Sequence, residues 1–329
     1  MHRCIGLRAE GTGRMGETWR NGWKVLVQSL GVFKKYPKLL VPILGAWAVY
    51  APSVIFMRYG YDGESSGLRA DLSLVFLIIL LLSFSVLFSC AIVLDMIRQI
   101  EAGEPSLLRA FFRRLGRDLP RIFLLSVGWA IIWFALTVLD AILSKKDRDN
   151  SDDALTAQNA AETIANYKSF SFSSAFIEAL EKGVRMVMFL IMPGIVWENL
   201  DVFAATKKGL AVLRAHLRDF GSGYALTYAA SSIIFLPPAI IFELGTGRHG
   251  RPPPIHFPDS VWVGVIIYMG FAWSLSIYLE QMFMAQLYLW HMKWEEQARA
   301  AAEANLDPPS FYSVERPQLL AGAPDPFAE

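Results

Sequence analysis

Long stretches with almost no charge alternate along this chain with short segments dense in lysine, arginine and acidic residues. The longest, about Leu72 to Leu94, contains no charged side chain. A bilayer imposes this pattern, because each helical span needs about 20 apolar residues to cross roughly 30 Å of hydrocarbon. With only 19% charged residues and a mean hydropathy of +0.35, the chain is also too apolar for an ordinary soluble domain. The sequence therefore predicts an all-α, polytopic membrane protein.

The apolar stretches predict six transmembrane helices in a membrane domain covering residues 17–300. Residues 1–16 lack periodicity, and residues 305–329 are rich in proline, so both ends are predicted to be disordered. Met15 is an alternative start for the chain. The predicted spans lie at about 39–57, 72–94, 122–143, 178–197, 224–244 and 261–279.

The distribution of basic residues predicts the orientation of these spans. Of the 31 lysines and arginines, 21 fall in the two termini and in the loops after spans two and four, 8 fall in the other three loops, and Lys182 and Arg185 lie within span four. Because basic residues are retained on the cytoplasmic side, both termini are expected in the cytoplasm of a bacterium, with the protein in its inner membrane.

An internal repeat is visible in the same segments. Each even-numbered span ends in an acid, Asp95, Glu198 or Glu280, and a basic amphipathic helix precedes each odd-numbered span. We expect three parallel hairpins, each preceded by a cytoplasmic helix lying in the membrane interface. The stretch from Ile195 to Tyr224 shows this joint most fully, and its resemblance to the other two copies favours a structural role over an active site.

The basic residues of these interfacial helices are predicted to contact anionic lipid headgroups. In the second helix the arginines recur at four-residue spacing, which places them on one stripe of the helix. Each cation near an anionic surface contributes about 1 kcal/mol of attraction. The predicted lipid contacts are Arg109, Arg113, Arg117, Arg121, Lys207, Lys208, Arg214 and Arg218.

The three acids at the span ends allow two interpretations. Asp95, Glu198 and Glu280 could form a ring at the cytoplasmic rim that binds a cation or proton. Alternatively, each acid accepts a hydrogen bond or ion pair from the following basic helix, for example from Lys207 or Lys208, and fixes that helix to its span. Their position at the span ends rather than at the midplane favours the second interpretation.

Span four carries an unusual number of charged residues. Glu178, Glu181 and Arg185 share one helix face, and Arg185 has no counterpart in the other even-numbered spans. A lone arginine at membrane depth is unfavourable, so we expect a partner, with Asp140 of span three or Glu181 as candidates. These four residues either line an outward-facing polar cavity or form a buried ion-pair network.

Motifs for enzymatic chemistry and cofactors are not found in the sequence. The two cysteines, Cys4 and Cys90, form neither a disulfide framework nor a zinc motif. His249 and His256 lack a third nearby metal ligand, and the Gly-x-Gly pairs lack the context of a nucleotide fold. We therefore expect no catalytic residue, no metal and no cofactor.

Two motifs resemble a known group of proteins. They are WRNGWKVLVQSL followed by YPKLLVP near the N-terminus, and MPGIVWENL followed by KKGLAVL around span four. The chain resembles bacterial polytopic integral membrane proteins of the domain-of-unknown-function type, which are similar to the membrane domain of some glycerophosphodiester phosphodiesterases. The resemblance implies a six-helix inner-membrane protein without an assigned reaction, and no catalytic residue is carried over.

Together these features predict a non-enzymatic membrane protein with a lipid-interacting, organising or accessory role. Its expected partners are membrane lipids, especially anionic headgroups, and other membrane proteins, but not nucleic acid. The alternative is a transporter of small solutes or lipids that uses a polar pathway around span four.

Overall fold

The computed structural model describes residue 27, residues 29–59, 68–103, 108–147, 172–246 and 257–309, and the single residues 314, 317 and 319. These residues form helices and connecting turns, with no β-strand among them. Residues 29–35 are helical, and a 3-10 helix follows at Pro37–Leu40. The seven α-helices in the described part of the chain are α1 Val41–Tyr59, α2 Leu68–Glu101, α3 Leu108–Asp147, α4 Phe172–Val196, α5 Val202–Ala215, α6 Leu217–Thr246 and α7 Asp259–Glu303.

Two helices continue past residues predicted at their boundaries. Helix α2 extends beyond Asp95 to Glu101. Helix α3 passes through Pro120, so the predicted interfacial segment and span three form one helix. Acidic residues and an isolated proline did not end these helices, because charge alone does not break the backbone ladder and neighbouring helices stabilise it.

The order of side-chain contacts shows the directions of the helices. His216, which precedes α6, and Ser231 of α6 meet His291 and Ser276 of α7 in reverse order, so α6 and α7 are antiparallel. By the same test α3 is antiparallel to α2 and to α4, and α1 is antiparallel to α7. Arg185 of α4 and Glu198 after it meet Glu280 and Tyr288 of α7 in the same order, so α4 and α7 are parallel. Helices α2, α4 and α7 therefore point one way, and α1, α3 and α6 point the other way.

Helix α4 occupies the centre of the bundle and contacts α2, α3, α5 and α7. Its second half is buried almost continuously, from Met188 to Val196. Helix α7 also contacts α1 and α6, and so links the first helix of the bundle to the last two. One large hydrophobic cluster includes residues of all seven helices, with Tyr278, Tyr288 and Phe189 among its largest fully buried side chains.

Four of the described helices are long and apolar enough to cross a membrane. The candidate spans are Leu72–Glu101, Gly116–Leu139, Leu217–Ile241 and Ser260–Glu303. Helix α1 contributes a shorter apolar segment, Pro37–Val49. Helix α4 is not among the four candidates, and its described part carries Glu181, Lys182 and Arg185. The all-helical fold with several long apolar helices is that expected of a membrane protein.

Three residues of the C-terminal tail lie against the bundle. Val314, Pro317 and Leu319 are buried, and the Leu319 N–H donates to the Glu101 carboxylate at the end of α2. These side chains of the proline-rich segment contact the bundle, and the disorder predicted for the rest of residues 305–329 stays a prediction. The predicted N-terminal disorder, the loop after span three, His249 and His256 all fall outside the described residues.

Candidate functional site

A buried carboxylate on α7 forms the centre of the strongest ion-pair network in the described part of the chain. Glu280 is fully buried, and both of its oxygens accept hydrogen bonds from Arg185 of α4, at 2.7 Å from Nε and 2.9 Å from Nη2. Lys182, one turn earlier on α4, lies 3.0 Å from the same carboxylate. Because α4 and α7 run parallel, residues one turn apart on α4 reach a single residue of α7.

The surroundings of Lys182 add further favourable contacts for its charge. Its Nζ lies 5.8 Å from the ring centroid of Tyr224 and 5.2 Å from that of Tyr228, both on α6. Ammonium groups at this distance over aromatic rings are stabilised by the ring quadrupole. The network therefore joins α4, α6 and α7, and its geometry provides a rigid connection between three helices.

The partner expected for Arg185 is corrected by these contacts. The side chain of Arg185 pairs with Glu280, which the sequence had assigned to a different cluster. Of the two candidate partners, Asp140 has its side chain outside the described residues, and Glu181 lies one turn from Arg185 on α4 and lines the same cleft. The side chain of Glu178 also lies outside the described residues. Pairing across 95 positions has no local signal in the sequence.

The proposed rim of three acids is also not formed. Glu198 accepts a hydrogen bond from Tyr288, which follows Glu280 by eight residues on α7. Tyr288 marks the level of Glu198 along α7. At 1.5 Å per residue, Glu280 lies about 12 Å before that level. Asp95 accepts a hydrogen bond from Gln99 at 2.7 Å within α2. The three acids therefore have three different environments.

The joint between α4 and α5 is built by local backbone chemistry. Asn199 adopts a left-handed conformation with φ of 58°, a region that asparagine tolerates, and the Leu200 N–H donates to the Gly194 carbonyl. Asp201 then caps α5 by accepting from the N–H groups of Phe203 and Ala204. Arg121 of α3 donates to the Asn199 side chain at 2.6 Å, which fixes the joint to a neighbouring helix.

Glu198 at this joint pairs with the helix that follows it. Lys208 lies 2.6 Å from Glu198 and 3.2 Å from Glu295 of α7. Although partial burial lowers the pKa of Lys208, its hydrogen bonds to the two carboxylates outweigh this and raise the pKa above its ordinary value. The ion pair agrees with the interpretation that this span-ending acid fixes the following basic helix. Two carboxylates hold Lys208, and its contact with lipid stays a prediction.

The outward face of α5 and the start of α6 combines cations with exposed apolar side chains. Phe203 is 82% exposed and Leu217 is 63% exposed, and between and beside them lie Lys207, Arg214 and Arg218, all exposed. The inward face buries Ala205, Gly209 and Val212 against α4. Of the other predicted lipid contacts, Arg117 is exposed beside Asp118, while the side chains of Arg109 and Arg113 lie outside the described residues.

Two histidines contact each other at the junction between α5 and α6. The Nε2 of His216 lies 3.1 Å from the Nδ1 of His291, and both side chains are buried beside Trp294. Burial, and then the neighbouring His291, lower the pKa of His216 from 6.5 to about 4. The pair is therefore neutral at physiological pH and shares one hydrogen bond. The sequence analysis did not find it, because the two residues are far apart in the chain.

A narrow cleft opens among α2, α3, α4 and α7 beside the Arg185–Glu280 pair. The space that it offers to water-sized molecules is about 30 Å³, room for one or two waters. Its walls are mostly apolar and include Trp129, Trp133 and Trp273, and its charged lining residues are Glu181 and Arg185. Glu181 and Arg185 line this mostly apolar cleft, and the inner side of Arg185 is closed by Glu280. The outward-facing polar cavity of Glu178, Glu181, Arg185 and Asp140 stays a prediction.

Within the described ranges, no group of three or more His, Cys, Asp or Glu side chains is placed to hold a metal ion. Comparison of the chain with protein-family models, with curated proteins and with solved structures finds no match. The resemblance to a domain-of-unknown-function family therefore stays a prediction.

Proposed function

We propose that this protein is a non-enzymatic, multi-pass membrane protein that interacts with anionic lipids through the outward face of α5 and the start of α6. One observation carries the proposal. Large apolar side chains and cations are exposed together on a face whose reverse side is packed against α4.

The chemistry of this face matches that of a membrane interface. Phe203 at 82% exposure and Leu217 at 63% are unfavourable in water and favourable in the acyl boundary of a leaflet. Lys207, Arg214 and Arg218 carry charges that complement anionic headgroups. A helix with this distribution lies in the plane of the interface and anchors the joint between α4 and α6 there.

The topology of the proposal follows from the distribution of charge. We place six spans in the inner membrane of a bacterium, with both termini and the α5 face in the cytoplasm, because 21 of the 31 basic residues fall on that side. Helices α1, α3 and α6 point one way and α2, α4 and α7 point the other way. This alternation supports an even number of crossings. The role we propose is lipid contact and organisation rather than a reaction.

The lipid contact is tested in nanodiscs with and without anionic lipid. The wild type should unfold at a higher temperature when anionic lipid is present, and added salt should reduce the difference. Lys207→Gln, Arg214→Gln and Arg218→Gln should each reduce the lipid-dependent stabilisation by about 1 kcal/mol. Arg299→Gln, which removes a cation that is 71% exposed on α7, serves as the matched control. An unfolding temperature of the wild type that does not change with anionic lipid would overturn the proposal.

A second candidate function, transport of a small solute or lipid, is favoured by the cleft. It reaches from the surface to the Arg185–Glu280 pair, where opening the pair would extend the path between α4 and α7. Reconstituted vesicles should then take up a small solute or lipid. The variant Trp273→Ala, which changes the cleft wall, should reduce this uptake. Unchanged uptake in that variant would exclude this path.

A further inference from the structure

The chain reverses its direction directly after α7. Asn305 adopts a left-handed conformation with φ of 53°, a region that asparagine tolerates. The Leu306 N–H donates to the Ala301 carbonyl at 2.8 Å. The Asn305 N–H donates to the Ala302 carbonyl at 3.1 Å. These two hydrogen bonds form a Schellman motif, and the two consecutive prolines that follow cannot continue a helix, so the local sequence turns the C-terminal tail away from the axis of α7.

Two hydrogen bonds then fix the tail to two different helices. The Pro309 carbonyl accepts from Nε1 of Trp294 on α7 at 2.9 Å. The Leu319 N–H donates to the Glu101 carboxylate at the end of α2. On the side of the tail, both bonds use backbone atoms, and the bundle supplies the side chains.

The tail also buries apolar side chains at fixed intervals. Val314 is 5% exposed and Leu319 is 1% exposed, both belong to the large hydrophobic cluster of the bundle, and Pro317 is buried. Leu306, earlier in the same tail, is 67% exposed. The buried positions follow the pattern Val-x-x-Pro-x-Leu. Proline-containing peptides are recognised in this way, by apolar grooves with aromatic side chains in their lining.

A separate peptide can make the same contacts as the tail. The carbonyl and the N–H that Trp294 and Glu101 bind belong to the backbone, which every peptide carries. The buried side chains are few, and the entropy lost when a segment becomes ordered opposes their burial. The tail has one advantage over a separate peptide, which is its covalent attachment. This attachment acts as an effective concentration in roughly the millimolar range.

We propose that the surface around Trp294 and Glu101 is a peptide-binding site, which the protein's own tail occupies as an autoinhibitory contact. The partner that it fits is a protein with an extended segment of the pattern aliphatic-x-x-Pro-x-Leu, which binds when the tail leaves. The site uses no residue of the α5 face and no residue of the cleft. It therefore goes beyond the lipid contact proposed above.

The first test measures the binding of a separate peptide with the sequence of residues 307–322. The peptide carries fluorescein, and its polarisation is followed during titration with the full-length protein in nanodiscs, with empty nanodiscs subtracted. The variant Leu319→Asp places a charge where the wild type buries an aliphatic side chain, so its tail leaves the site. This variant should bind the peptide at least about tenfold more tightly than the wild type, whose tail competes. Absence of binding, or equal affinity of the two proteins, would overturn the proposal.

Two controls show whether the contact depends on the sequence. Leu306→Asp introduces the same charge at an exposed position of the same tail, so this protein should bind the peptide as weakly as the wild type. A peptide that itself carries Leu319→Asp should not bind the Leu319→Asp protein. Equal affinity of that protein for both peptides would show nonspecific partitioning of the probe and would overturn the site.

The second test uses the wild type and so requires no variant to fold. The protease Glu-C cuts after Glu315, which lies in the sequence between the buried residues Val314 and Pro317. The unlabelled peptide carrying Glu315→Gln, which the protease does not cut, should displace the tail and increase the rate of cleavage at Glu315 by at least about fivefold, because the protease acts on the released tail. Mass spectrometry of the product that ends at Glu315 measures this rate. The same rate with and without the peptide would contradict the proposed exchange.

The third test distinguishes a partner protein from a second copy of this chain. Light scattering in detergent should give the same oligomeric state for the wild type and for Leu319→Asp. A wild-type dimer that Leu319→Asp separates into monomers would mean that the site holds the tail of a second copy, and would overturn the assignment to a partner. These outcomes are independent of the anionic-lipid test, whose variants lie on α5 and α6.

Discussion

Glu280 shows how a single buried residue can determine the arrangement of several helices. Its carboxylate is shared by Lys182 and Arg185 on α4, and Lys182 also lies over two tyrosine rings of α6. The sequence indicated correctly that charges in span four need a partner, because an unpaired arginine at that depth is unfavourable. It could not identify Glu280, since the spacing of residues within one helix carries no information about which face of a distant helix lies opposite.

Replacing Glu280 by glutamine should destabilise the protein strongly. Lys182 and Arg185 would then remain buried or partly buried without their shared counter-charge, which typically costs about 3–5 kcal/mol. Thermal unfolding of the full-length protein in detergent measures the effect. Glu296→Gln, which changes an exposed carboxylate on the same helix, should leave the unfolding temperature unchanged. Equal stability of the two variants would contradict the role given to Glu280.

The histidine pair predicts a pH dependence of stability. In the folded protein the pKa of His216 is about 4, whereas its ordinary value is 6.5. Below about pH 6.5 the unfolded chain therefore binds a proton that the folded protein does not, and stability falls as the pH decreases toward 4. Asp219, 4.0 Å from His216, and Glu295 near His291 carry opposing charges that moderate this effect.

The variant His216→Gln isolates this contribution. Because glutamine does not titrate, the loss of unfolding free energy between about pH 7.5 and pH 5.5 should be smaller in the variant than in the wild type. Unfolding at both pH values measures the two slopes. If the unfolding free energy changes equally in both proteins between the two pH values, the His216–His291 contact does not depend on pH in this range.

At the scale of elements, the packing of α5 against α4 depends on a close approach of two backbones. A Cβ added at Gly209 would lie 3.0 Å from the Ile191 Cγ1 and 3.3 Å from the Ile191 Cα. A Cβ added at Gly194 of α4 would lie 3.2 Å from the Cβ of Ala205. Small residues on both helices therefore let α5 lie flat on the end of α4, which leaves its cations and Phe203 on the outside.

A larger residue at Gly209 should separate the two helices. Gly209→Val is expected to reduce stability by about 1–3 kcal/mol, because overpacking displaces backbone rather than a flexible side chain. Gly221→Val on α6 is the matched control, since a Cβ there meets nothing within 4 Å. The control should stay within about 0.5 kcal/mol of the wild type in the same unfolding experiment. Equal losses of stability at both positions would mean that helix propensity alone, and not the packing of α5 on α4, causes the effect.

Much of the element content could be predicted from the sequence, because apolar stretches of 20 residues and their basic flanks are local patterns. Helix ends were predicted less well. Asp95 and Pro120 were expected at boundaries, yet α2 and α3 continue through them. Tertiary packing decides whether a helix continues past such a residue, and packing is not visible in the local sequence.

At the scale of the whole molecule, the direction of the helices and the distribution of charge agree. Helices α2, α4 and α7 point the same way, and the end of α4 is joined to α2 by a hydrogen bond of 2.8 Å from the Trp197 side chain to the Leu94 carbonyl. Arg121 and Lys208 contribute to the same end of the bundle. The cleft beside Glu181 lies further from this end, near the middles of α2 and α3, where Leu82, Val86, Trp129 and Trp133 line it.

The most direct test of this account is the sidedness of the α5 face, measured by cysteine labelling in whole cells. Cys4 and Cys90 are first replaced, and single cysteines are introduced by Lys207→Cys and Ser151→Cys. A membrane-impermeant maleimide should label the Ser151→Cys protein in intact cells whose outer membrane has been permeabilised. It should label the Lys207→Cys protein only after the inner membrane is opened. Labelling of both positions from the same side would contradict a multi-pass bundle with its cationic face in the cytoplasm.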